Sequence, residues 1–245
     1  MKFIGIIPAR FKSSRFPGKP LAQICGRPMI WWVYRQAYQV EELDEIYVAT
    51  DDDRIAQECR RWDIPVLMTS KEHETGSDRV AEAARITDGD VYINIQGDEP
   101  TIEPEMIREV MRIFGDGEVL FATLKREITD EEEMRAPSTV KVVTDEKGNA
   151  LYFSRSPIPS NLKGKERARI FRHVGIYGYR REFLLRFAGL PPSELEIGEG
   201  IEPLRALERG YPIRVAETKY DSIGVDLPEH IEKAEQFIRK KEGKE

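Results

Sequence analysis

The residues best placed to do chemistry come early. From position 8 to 21 the chain reads Pro-Ala-Arg-Phe-Lys-Ser-Ser-Arg-Phe-Pro-Gly-Lys-Pro-Leu. This stretch sets Arg10, Lys12, Arg15 and Lys19 among Ser13, Ser14 and Gly18. The apolar run Phe3 to Ile7 before it reads as a buried strand that stops at Pro8. A loop of cations, hydroxyls and open backbone N–H groups at the carboxyl end of a first strand suits a polyphosphate. Backbone donors and serine hydroxyls cradle the oxygens, and Arg and Lys neutralise them. A solvated basic loop would have the same composition. The loop is not a G-x-x-x-x-G-K-[ST] phosphate loop, and the lack of G-x-G-x-x-G argues against NAD.

Carboxylates offer the complementary chemistry. Gln96-Gly97-Asp98-Glu99-Pro100 follows the apolar run 90–95, so Asp98 would stand at a strand end beside a Gly turn. Mg²⁺ takes one or two carboxylates plus phosphate oxygens, although a Gly-Asp turn that merely ends a strand has the same spacing. Asp226, in Ile223-Gly224-Val225-Asp226-Leu227-Pro228, reads on spacing alone as the cap of a Pro-started helix. Asp51-Asp52-Asp53 contains a D-x-D but sits where a helix begins, and complementation of the helix dipole is favoured. His73 to Arg79 is a polar lead-in to a helix, with Thr75 or Ser77 as cap. His173 on a strand is more simply a structural residue than a ligand. There is no nucleophile elbow, HExxH or zinc spacing.

These residues need elements to position them. Helices are expected over 29–38, from about 51 to 62, over 78–86, 104–114 and 228–241. Strands are expected at 44–50, 66–68, 90–95, 119–126 and 174–179, with a hairpin of 140–143 and 150–153 about the turn 145–149. Residues 155–169 read as a loop. The βα alternation implies an α/β, Rossmann-like, mostly parallel sheet flanked by helices, with a smaller β-rich insertion in the second half. Such sheets bind ligands beyond the carboxyl ends of their strands.

The 245 residues fit a single domain, 1–245. A net charge of −6 gives no electrostatic case for nucleic acid, and makes the first loop a local basic patch that would steer an anion. No apolar run is long enough to span a bilayer and no signal peptide is evident. Cys25 and Cys59 read as reduced thiols, so a cytoplasmic setting is expected.

The order of the motifs adds a resemblance. Pro8-Ala9-Arg10, Ser14-Arg15 and Pro17-Gly18-Lys19-Pro20-Leu21, followed by Gln-Gly-Asp, resemble the sugar-acid cytidylyltransferases, which make CMP-activated sugar acids. The match runs in order from Ile4 to Pro228 and looks most like the branch acting on 3-deoxy-manno-octulosonate. It implies transfer of CMP from CTP to that sugar acid, with pyrophosphate released and the product feeding lipopolysaccharide assembly. It implies nucleotide contacts from Ala9, Arg10, Ser13, Ser14, Arg15, Lys19, Thr75, Gly76, Ser77, Arg79 and Asp98, with Arg10 and Lys19 catalytic. In the Thr75-Gly76-Ser77 segment, Ser and Thr are exchanged relative to the family pattern. Asp98 and Asp226 would share Mg²⁺, and Gln96, Arg155, His173, Tyr177 and Glu202 would meet the sugar. A homodimer is implied, with 125–180 including a dimerisation and sugar-binding subregion. A cytidylyltransferase for another sugar acid, such as sialic acid, and a non-catalytic nucleotide-binding relative are the alternatives.

Overall fold

The computed structural model describes residues 1–13, 15–73, 75–160, 168–241 and 243. They form two compact units, 1–108 with 221–245, and 109–220. Ser14 and residues 161–167 of the loop read at 155–169 lie outside the described residues.

The first unit opens with β1 (Phe3–Ala9), then a short antiparallel pair, β2 (Gln23–Ile24) and β3 (Arg27–Pro28). Alternation follows: α1 (Met29–Tyr38), β4 (Glu45–Thr50), α2 (Asp53–Arg61), β5 (Val66–Met68), α3 (Gly76–Ile86), β6 (Val91–Ile95) and α4 (Pro104–Ile113), which crosses into the second unit. Strands β6, β1, β4 and β5 lie side by side, all parallel. The parallel sheet explains the unbroken apolar runs. Ile4, Ile6 and Ile7 of β1 are fully buried, as is all of β6, because helices cover both faces of such a sheet.

The helix starts have local causes. Pro28 caps α1 with its fixed φ of −65°. Asp52 accepts the Arg54 N–H at the head of α2, and Asp53 lies in its first turn, so these two acids of the run serve the helix as expected. Thr75 and Asp78 close a capping box on α3, which therefore begins two residues before the expected start.

The second unit holds β7 (Phe121–Ile128), α5 (Glu131–Arg135), β8 (Lys141–Thr144), β9 (Ala150–Ser154), β10 (Ile170–Arg180), α6 (Arg181–Ala188), α7 (Glu194–Glu199), α8 (Leu204–Leu207) and β11 (Arg214–Glu217). Strand β10 pairs antiparallel with β7, and β11 joins β7 in parallel. The expected hairpin is present as β8–β9, closed by the Asp145 carboxylate on the N–H groups of Lys147 and Asn149. The chain then returns to the first unit and ends on α9 (His230–Lys241).

Candidate active site

Four stretches distant in sequence converge within the first unit on a cavity of about 420 Å³, a size suited to a nucleotide. The loop after β1 contributes Ala9, Arg10, Lys12, Ser13, Arg15 and Lys19. The turn after β6 contributes Gln96, Gly97 and Asp98, α3 contributes Gly76, and the segment before α9 contributes Asp226. All but the last lie at carboxyl ends of parallel strands or at the helix that follows one.

Two glycines make this convergence possible. Gly18 has a φ of +71°, a conformation glycine adopts at little cost. Its N–H donates to the Phe11 carbonyl at 2.8 Å, folding the loop so that Lys19 points into the cavity. Gly97 lies so near the end of β1 that a Cβ there would be 2.6 Å from the Pro8 carbonyl oxygen. The backbone then ties Asp98 to the C-terminal segment: the Val225 N–H donates to the Asp98 carbonyl at 2.8 Å.

The cavity centres on a shared cation. Lys19 Nζ donates to Asp98 Oδ2 at 2.7 Å and to Asp226 Oδ1 at 3.3 Å, and the Lys19 side chain is only 15% exposed. Arg15 reaches the same Asp226 oxygen at 3.1 Å. Two carboxylates far apart in the sequence thus already hold one ammonium between them. Two carboxylate oxygens gathered about one ammonium are a donor set that could hold a hard cation. Among the described residues no cluster of three or more His, Cys, Asp and Glu forms a denser site. A cation here would therefore complete its shell with phosphate and water oxygens, the usual habit of Mg²⁺.

Asp226 corrects its reading as a helix cap. Helix α9 begins only at His230, and the Asp226 carboxylate turns to Lys19 and Arg15. Its own N–H donates to His230 Nδ1 at 3.2 Å, a supporting contact that the sequence reading missed. The four-residue spacing of Asp226 and His230 was the available signal.

The segment 75–79 divides. Gly76 lines the cavity, whereas Thr75 is engaged in capping and Ser77 is buried. Arg79 is fully buried; it donates to Thr69 and to the Ser70 carbonyl, and lies 3.3 Å from Asp51. Burial lowers its pKa, opposed by the Asp51 charge. The structure thus places Arg79 behind the cavity wall, pairing with the first acid of Asp51-Asp52-Asp53.

The residues expected to meet a sugar lie in the second unit, apart from Gln96. The Arg155 guanidinium donates to three backbone carbonyls, Glu199 at 2.8 Å, Pro137 at 2.9 Å and Gly200 at 3.3 Å. All three acceptors are neutral, the nearby Glu199 carboxylate feels the guanidinium charge, and among the described residues two of its five N–H bonds remain for an anion. The Arg155 carbonyl is held at 2.6 Å by Lys141, a fully buried ammonium that also donates to Ala136 and Thr139 carbonyls. Loss of solvent lowers the Lys141 pKa. Neither Lys141 nor Glu199, whose carboxylate accepts from the Arg155 N–H, was singled out in the sequence. A lysine in a strand pattern reads as a solvated face, so its burial left no signal.

The His173 ring packs edge-on against Phe153, with centroids 5.0 Å apart, and lies beside Tyr177 at 5.4 Å. Burial, helped by the Arg172 charge, pushes the His173 pKa down to about 3, so the imidazole is neutral. Burial and then the Glu202 carboxylate push the Tyr177 pKa up, so the phenol keeps its proton.

A family model described as cytidylyltransferase matches residues 4–220. The 3-deoxy-manno-octulosonate cytidylyltransferase of Geobacter metallireducens is 48% identical over 244 residues, 95% of this chain and 96% of that protein. The enzyme of the same name from Geobacter sulfurreducens is 49% identical over 95% of this chain and 98% of its own length. A solved structure of CMP:2-keto-3-deoxy-manno-octonic acid synthetase complexed with CTP superposes with a TM-score of 0.94 and 42% identity, covering 98% of this chain and all of that one. A glucose-1-phosphate thymidylyltransferase from Bacillus anthracis, at 18% identity and a TM-score of 0.68, shares the fold alone. Matching length, motif order and fold together place the chain in the cytidylyltransferase family, among its 3-deoxy-manno-octulosonate cytidylyltransferases.

Proposed function

We propose that the protein transfers the cytidylyl group of CTP to 3-deoxy-D-manno-octulosonate, releasing pyrophosphate and the CMP-sugar used in lipopolysaccharide assembly. The observation that carries this reading is Lys19, held between Asp98 and Asp226 in a cavity walled by the basic loop. A hydroxyl of the sugar acid attacks the α-phosphorus, and the bond to the bridging oxygen of the leaving pyrophosphate breaks. Arg10 and Lys19 neutralise charge that grows on the phosphates as that bond lengthens. Arg15 and Ser13 hold the loop against them, and the N-terminus of α3 at Gly76 closes one side. Arg155 offers its two uncommitted N–H groups to the sugar carboxylate, a planar fork matched to a planar anion. Asp98 and Asp226 would hold Mg²⁺, which when bound supplies Lewis-acid polarisation of the phosphate and a lower pKa for the attacking hydroxyl.

The same reading carries a homodimer and a cytoplasmic setting; among the described residues no helix is long and apolar enough to cross a membrane. Incubation with CTP and the sugar acid, followed by ³¹P NMR, tests the proposal. A CMP-sugar phosphodiester signal with one equivalent of pyrophosphate supports it. Hydrolysis of CTP without sugar-linked phosphate would contradict it.

A further inference from the structure

Within the second unit, strand β10 slips register against β7. Val174 faces Leu124, but the next paired residue is Tyr177, opposite Thr123. Gly175 and Ile176 are the extra residues of a β-bulge, and bulges re-aim the groups around them. Here the bulge turns two carbonyls onto one hydroxyl. Thr123 Oγ1 lies 3.0 Å from the Val174 oxygen and 2.7 Å from the Ile176 oxygen. His173 Nε2 approaches the same Oγ1 at 3.1 Å.

Carbonyls accept and cannot donate, so the single hydroxyl proton is claimed by one of them. Only lone pairs then remain on Oγ1 for the histidine, and Nε2 must be the donor. The ring is neutral, so an Nε2–H leaves Nδ1 bare. Among the described residues Nδ1 meets no hydrogen-bond partner. Without the bulge, the hydroxyl could donate to Nε2 and the opposite tautomer would be equally served.

We infer that Thr123 is a positioning residue that locks His173 as the Nε2–H tautomer and so presents the sugar acid with an acceptor-only Nδ1. This inference rests on the function proposed above. An acceptor takes a hydroxyl proton and repels a carboxylate, so His173 reads a hydroxyl of the sugar while the anion is left to Arg155. The tautomer acts in orientation: it forbids the substrate pose that would turn the carboxylate toward the imidazole.

The full chain contains three histidines, so ¹⁵N-histidine labelling gives a resolvable spectrum, assigned with His173→Gln. The wild type should show protonated Nε2 and bare Nδ1 at His173. Thr123→Val should release the Nδ1–H form and raise KM for 3-deoxy-manno-octulosonate about tenfold, the scale of one hydrogen bond, with KM for CTP unchanged. Thr123→Ser, which keeps the hydroxyl, should restore both. A wild-type Nδ1–H tautomer overturns the inference with no variant needed and whatever the activity. An equal rise in both KM values, or equal loss in Thr123→Val and Thr123→Ser, overturns the role toward substrate. Absence of any transfer to the sugar acid would sink the functional reading and that role together, while the tautomer still stands or falls on the spectrum.

Discussion

Lys19 holds two carboxylates before any substrate arrives, and a triphosphate must compete for it. That competition makes Lys19 different from Lys12, which lines the same cavity but makes no ion pair among the described residues. Removing one preorganised electrostatic donor costs on the order of 10²–10³ in turnover. Lys19→Ala should lose that much with an unchanged circular dichroism spectrum, and Lys12→Ala far less; equal losses would make the loop a generic basic surface. Asp98→Asn removes formal charge from the carboxylate pair and should abolish most activity at limiting Mg²⁺ with the fold intact. Near-normal turnover under that limitation would remove Asp98 from metal binding. Arg155→Lys keeps the charge but loses the fork and the three carbonyl anchors. KM for the sugar acid should rise about ten- to a hundred-fold, the value of a charged hydrogen bond at about 1.5–3 kcal/mol. An equal rise for CTP would place Arg155 elsewhere. Residue types foretold this chemistry where a motif and a strand end coincide, as at Lys19 and Asp98. They did not foretell Arg79, whose direction depends on Asp51 folding behind it, or Lys141, whose three carbonyl partners come from separate turns.

At the scale of elements, the site depends on how closely strand ends approach. The turn after β6 can pass the Pro8 carbonyl only because Gly97 has no side chain. Gly97→Ala should push the phosphate loop and the Asp98 turn apart, costing about 1–3 kcal/mol as overpacking does. A lower melting temperature together with lower turnover is expected. An unchanged melting temperature would mean that the contact relaxes freely. Elements with strong local signals were legible: α1 spans Met29–Tyr38 as expected, because Pro28 sets its start and its apolar spacing is regular. Strand β10 runs from Ile170 to Arg180, well beyond the expected 174–179, because pairing with β7 carries polar residues that no apolar pattern marks. The bulge inside it, which turns two carbonyls onto Thr123, has no signature beyond the glycine at 175.

At the scale of the whole molecule, the chain separates its chemistry. The basic loop and the carboxylates of Asp98 and Asp226 lie in the unit of 1–108 and 221–245, and Arg155, His173, Tyr177 and Glu202 lie in 109–220. The return of the chain after residue 220 brings Asp226 to Asp98. Periodicity describes neighbours along the chain, so it could not supply that meeting; only motif order hinted at it. A net charge of −6 around a basic loop also favours anion capture at one place. The central claim is that this cavity activates CTP for a sugar acid. Pyrophosphate release, measured with CTP, ATP, GTP and UTP against 3-deoxy-manno-octulosonate, sialic acid and no acceptor, tests it most directly. Release should require CTP and 3-deoxy-manno-octulosonate together. Equal release with sialic acid, with another nucleotide or without any sugar acid would contradict the account.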